Sequence, residues 1–130
     1  MPKLTLFIFS SRDFDPQKTI ESVPIDEKAI VLIDERRLDQ VKIGTPWVGF
    51  LMADEMLDEK LAKALPTYLE SEYECLVMFK ETYGTDGVKH YHTPRFFRNN
   101  VTFGESGLYP LNINDLKCTR VLDGRIIDAG

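Results

Sequence analysis

Three short apolar runs, Leu4–Phe9, Ala29–Ile33 and Trp47–Ala53, constrain the fold of this chain most. Each is continuous and ends abruptly in polar or acidic residues. The first gives way to Ser10-Ser11-Arg12-Asp13, the second to Asp34-Glu35-Arg36-Arg37 and the third to Asp54-Glu55. An apolar run of this length bounded by polar residues reads as a buried strand. Pro16–Ser22 reads as a short helix, with Asp15 as N-cap and Pro16 in the first helical position. Asp58–Leu69 is the clearest helix, because Leu57, Leu61, Leu65, Tyr68 and Leu69 fall on one stripe and acids occupy the first turn. Pro66 marks a kink or an early end.

The second half continues with a strand at Cys75–Phe79, a turn at Tyr83–Gly87 and a returning strand at His90–Phe97 that contains Pro94. A last hairpin, Arg120–Leu122 with Arg125–Ile127, is expected around Asp123-Gly124. Strands and helices in this order predict an α/β fold: a mixed, mainly parallel sheet flanked by helices. The 130 residues make one domain, 1–130, with no repeat or linker. In such a sheet ligands bind at the carboxyl ends of the strands. Parallel packing of the first three strands would therefore gather Ser10–Arg12, Asp34 and Asp54–Glu55 in one crevice.

Sixteen basic and 21 acidic residues give a net charge of −5, without a run of five like charges. That pattern offers no basic face for duplex phosphates, so stable nucleic-acid binding is not expected. It does suit carboxylates gathered around a cation. No stretch approaches the roughly 20 apolar residues of a membrane span, and Leu4–Phe9 is too short for a signal-peptide core. Cys75 and Cys118 lie far apart without CxxC spacing and read as reduced thiols, so a cytoplasmic location is expected.

Asp54 and Glu55 follow a buried strand directly. Magnesium and manganese take oxygen ligands and often need only one or two protein carboxylates when phosphates supply the rest. The alternative is that both acids merely start the following helix. Asp34 is either an acceptor for a base or ribose or a solvated loop acid. Arg95 and Arg98, flanking Phe96-Phe97, offer planar forks for phosphate oxygens or line an exposed edge. His90 and His92 share a strand face but lack an evident third metal ligand. Glu105, in a glycine-flanked loop, has the chemistry of a general base.

Taken in order, these segments resemble the family 2 glycosyltransferases of bacterial lipopolysaccharide-core type, which have the A-type nucleotide-sugar fold. Leu4–Ser11 with Arg12 resembles the opening strand and its exit, and Ile30–Asp34 the second strand with its base-contacting acid. Trp47-Val48-Gly49-Phe50-Leu51-Met52-Ala53-Asp54-Glu55 resembles the family's "W-hydrophobic-LDADE" stretch. Thr93-Pro94-Arg95-Phe96-Phe97-Arg98 resembles its "RLFR" signature. The likeness covers about residues 4–105. Met52 replaces the first acid, Gly104 stands where some members carry histidine, and the segment between Asp39 and Trp47 is shorter than usual.

The resemblance implies a compact phage or bacterial transferase that moves a sugar from a nucleotide-diphosphate donor to an acceptor hydroxyl. In that reading Asp54 and Glu55 hold Mn or Mg, and Ser11, Arg12, Asp34, Arg95 and Arg98 bind the donor. Asp54 and Glu105 are the catalytic acids, with Glu105 as base. The alternative is a non-catalytic binding or interaction module. The acceptor is not identified, and so small a domain leaves room for a site completed across a homo-oligomer.

Overall fold

The computed structural model describes residues 3–9, 15–25, 28–33, 44–103 and 110–128. The chain runs β1 (Leu4–Phe9), α1 (Gln17–Ser22), β2 (Lys28–Ile33), β3 (Trp47–Met52), β4 (Glu55–Leu57), α2 (Glu59–Leu69), β5 (Cys75–Gly84), β6 (Gly87–Arg98), β7 (Cys118–Arg120) and β8 (Ile126–Asp128). The strands form one sheet in the order β2-β1-β3-β6-β5-β8-β4, with β7 on β5 off this path.

β1 pairs in parallel with both β2 and β3. β6 runs antiparallel to β3 and to β5, and β8 runs antiparallel to β4. β4 ends the path, with β6, β5 and β8 between it and β3. Yet only Ala53-Asp54 connects β3 to β4 in the chain. The sheet must therefore curl back on itself, and it forms a half-barrel.

This corrects the fold class expected from the sequence. The chain is not an α/β fold with a mainly parallel, helix-flanked sheet, and it is not a minimal A-type glycosyltransferase fold. It is a small, mostly β protein with a curled mixed sheet and two helices among the described residues. The parallel trio is present, but the remaining connections are not helical crossovers. The acids after β3 enter a tight turn and a strand instead of a helix. The β5–β6 hairpin is also long, with strands of 10 and 12 residues.

Apolar residues of β1, β3, β5 and β6 are buried on both faces of the sheet. On one face Leu4, Leu6, Ile8, Trp47, Leu51, Leu76, Met78 and Phe96 pack with Leu61 and Leu65 of α2. On the other, Phe7, Phe9, Val48, Phe50, Cys75 and Phe97 pack under Phe103 and Leu116. Each fully buried leucine of α2 contributes about 1.5–3 kcal/mol. α2 starts on its cap, Asp58, whereas the N-cap of α1 is Pro16 and not the expected Asp15, which reaches the first helical amide from one residue further back. Asp15 Oδ1 accepts from the Gln17 amide at 2.9 Å, and Asp58 Oδ1 accepts from the Leu61 amide at 2.9 Å. Pro66 is accommodated inside α2, which continues to Leu69.

The expected terminal hairpin does not form. β7 runs parallel to β5 at Cys75–Val77, whereas β8 meets β5 at Lys80 and pairs with β4. The intervening segment crosses the start of α2, where the Asp58 amide donates to the Arg125 carbonyl at 3.0 Å. Gly124 permits this approach. Its φ is +85°, and a Cβ there would collide with Asp58 Oδ1 and the Leu61 amide. No helix among the described residues is long and apolar enough to cross a membrane.

Candidate functional site

The three parallel strands end level: Phe9 is the register partner of both Ile33 and Met52. Ser11, Arg12, Asp34 and Glu105 lie outside the described residues. Asp54 and Glu55 are described, and they diverge.

Asp54 occupies the turn between β3 and β4 and is half-buried. Among the described residues its carboxylate has no hydrogen-bonding or ionic partner. The turn beneath it is tightly held. The Ala53 amide donates to the Phe9 carbonyl at 3.1 Å. From α1, the Thr19 hydroxyl lies against the carbonyls of Met52, Ala53 and Glu55. Ser22 Oγ accepts from the Leu57 amide at 3.0 Å.

Glu55 points the other way, into the half-barrel, and is only 3 % exposed. Its Oε1 accepts from Arg95 Nη1 at 2.6 Å and from the Met52 amide at 2.8 Å. Its Oε2 accepts from Arg95 Nη2 at 2.9 Å and pairs with Lys80 Nζ at 3.0 Å. Lys80 also donates to Asp128 Oδ1 of β8 at 3.0 Å. Arg95 Nε donates to Thr93 Oγ1 at 3.1 Å. Two acids and two bases thus form a neutral cluster, buried at Glu55, Lys80 and Arg95 and reaching the surface at Asp128. A bidentate fork of this kind is among the stronger protein hydrogen bonds.

A β-bulge aims Arg95 into this cluster. Leu76 opposes Phe96 and Val77 opposes Pro94, so Arg95 has no register partner. The electrostatics follow from the contacts. Burial pushes the Glu55 carboxyl up, but Arg95, the Met52 amide and Lys80 outweigh it and hold the pKa at about 2. Burial disfavours the Lys80 ammonium, yet Glu55 and Asp128 raise its pKa above the ordinary lysine value.

Arg98 stands elsewhere. It pairs in register with Trp47, at the opposite end of β3 from Asp54, about 17 Å away along the strand. Its guanidinium lies 4.3 Å from the Trp47 ring centroid and donates to the Tyr73 and Ser71 carbonyls. The structure therefore brings Arg95 to Glu55 beside the Asp54 turn and keeps Arg98 apart. His90 and His92 share a face, as their spacing predicts, and flank the Phe79 ring at 5.1 and 5.3 Å. No group of three or more His, Cys, Asp or Glu residues that could hold a metal occurs among the described residues.

Lys80 and Asp128 are the members that sequence reasoning missed. Lys80 carries a signal: it falls on the same strand face as Leu76 and Met78, and a lysine on an apolar face needs a buried anion. No family model matches the chain, and no curated protein matches it.

Proposed function

We propose that the chain binds a nucleotide-diphosphate sugar through a divalent cation at Asp54 and transfers the sugar to an acceptor hydroxyl. The observation that carries this reading is the divergence of two neighbouring acids at the end of a parallel strand. Glu55 clamps the turn from inside, and Asp54 is left without a partner among the described residues on a rigid backbone. The order of motifs resembling family 2 glycosyltransferases supplies the donor class.

The donor set fits magnesium or manganese held by one carboxylate and substrate phosphates. Such an ion would act as a Lewis acid for the departing diphosphate. Asp54 would orient it, while Glu55 and Arg95 act as positioning residues through the turn. Ser11, Arg12 and Asp34 follow the ends of β1 and β2 in sequence and are the donor-binding candidates. Glu105 remains the proposed base.

One observation favours a second reading, a binding module without transfer. Both Glu55 oxygens are engaged, which leaves a single carboxylate for a cation at this turn among the described residues.

Thermal denaturation with Mn2+ and UDP, GDP, CDP or dTDP tests the proposal. One nucleotide is expected to raise Tm, since a ligand of the native state stabilises it. Asp54→Ala should lose that rise while its ligand-free Tm stays within about 2 °C of the parent. No rise with any of the four overturns donor binding. A rise without hydrolysis or transfer of the matching nucleotide sugar selects the binding module.

A further inference from the structure

The two cysteines, 43 positions apart in sequence, become direct neighbours in space. Cys75 of β5 is the register partner of Cys118 of β7, and the two strands are parallel. Register partners on parallel strands project to the same side of the sheet. The Cys118 thiol lies near enough to Cys75 to act on it electrostatically. Neighbouring strands lie about 4.8 Å apart, inside the Cα separation of roughly 4.4–6.8 Å that disulfides span. The two sites differ in access: Cys75 is fully buried and Cys118 is exposed.

We propose that Cys75 and Cys118 form a reversible cross-strand disulfide, with Cys118 as the thiol that meets a small-molecule disulfide oxidant. The Cys118 thiolate attacks one sulfur of glutathione disulfide. That S–S bond breaks, a mixed disulfide forms on Cys118 and one glutathione thiolate leaves. Cys75 then gives up its proton, and its sulfur attacks Cys118 Sγ to displace the second glutathione thiolate. The protein dithiol loses two electrons, and the oxidant becomes two thiols that carry the two protons.

The asymmetry gives the order of attack. Burial, with Cys118 beside it, pushes the Cys75 thiol up, so Cys75 is inert towards solutes and reacts only with a sulfur delivered next to it. The bond would have a structural consequence. Cys75 lies in the apolar cluster covered by Phe103 and Leu116, and Leu116 is two residues before Cys118. Cys118 Sγ already donates to the Leu116 carbonyl at 3.5 Å. Oxidation would fasten that cover to β5.

The test uses the full chain, first reduced and then incubated with glutathione disulfide. The expected result is a mass loss of two hydrogens, a peptide map linking Cys75 to Cys118, and a Tm at least about 5 °C higher that dithiothreitol reverses. Cys75→Ala should instead accumulate glutathione on Cys118, because the resolving thiol is gone. Cys118→Ser should keep the Cys75 thiol unmodified, and it preserves the buried core should Cys75→Ala fail to fold. Two free thiols in the oxidised parent, stable glutathione on its Cys118, or disulfide-linked dimers overturn the proposal.

Discussion

Arg95 and Arg98 belong to one four-residue motif, yet they meet the molecule in opposite ways. Arg95 is 5 % exposed and faces a buried carboxylate in a bidentate fork. Arg98 is half-buried and caps the outer end of β3, with the Trp47 ring beneath it and backbone carbonyls at its edges. The bulge at Arg95 makes the difference, because it turns one side chain into the half-barrel while the strand carries the other past its rim. Identical chemistry therefore has unequal consequences. Removing one partner of a buried pair strands a charge in a poorly solvated site, whereas removing a rim arginine leaves groups that water can reach.

The largest effect separates the two arginines directly. Arg95→Met should destabilise the protein by about 3–5 kcal/mol in urea denaturation, since it leaves Glu55 short of its main partner. Arg98→Met should cost about 1 kcal/mol. Equal losses would break the comparison. A double-mutant cycle sharpens it: Glu55→Gln combined with Arg95→Met should cost clearly less than the sum of the single changes.

The next effect is one of pH. The Glu55 carboxyl titrates at about 2 in the folded chain against 4.5 in the reference state, so the folded protein binds fewer protons between those values. Its contribution, on the order of 3 kcal/mol, is fully present above pH 4.5 and lost as pH falls towards 2. Glu55→Gln should flatten that part of the stability profile, and an unchanged slope would place the acid sensitivity elsewhere. Gly124→Ala, which combines positive φ with a collision at the start of α2, should cost roughly 2 kcal/mol. Asp54→Ala should be the mildest, within about 0.5 kcal/mol of the parent, because the carboxylate has no partner among the described residues to lose.

How far the sequence could be read follows from the range of the interactions. β1, β2, β3 and α2 were legible because each carries its own signal, either a continuous apolar run or a capped stripe. The three-residue strands β4, β7 and β8 were not. They exist only through pairing with distant segments, and Glu55-Met56-Leu57 looks locally like the approach to a helix. Asp123-Gly124 misled for a related reason: it looks like a hairpin turn, but the glycine is required for a close approach to α2. In the site, the acids at the end of β3 were visible as a pair. Their division into one inward and one partnerless carboxylate was not, because it depends on Lys80, Arg95 and Asp128 arriving from three other strands.

The central claim is that Glu55 is an internal anchor and Asp54 the acid left for a ligand. The most direct measurement is the carbon-13 shift of the Glu55 carboxyl during acid titration. The account predicts that it is still ionised at about pH 3, held there by Arg95 and Lys80. A midpoint near the ordinary 4.5 would mean that the cluster does not hold the carboxylate, and would contradict the account.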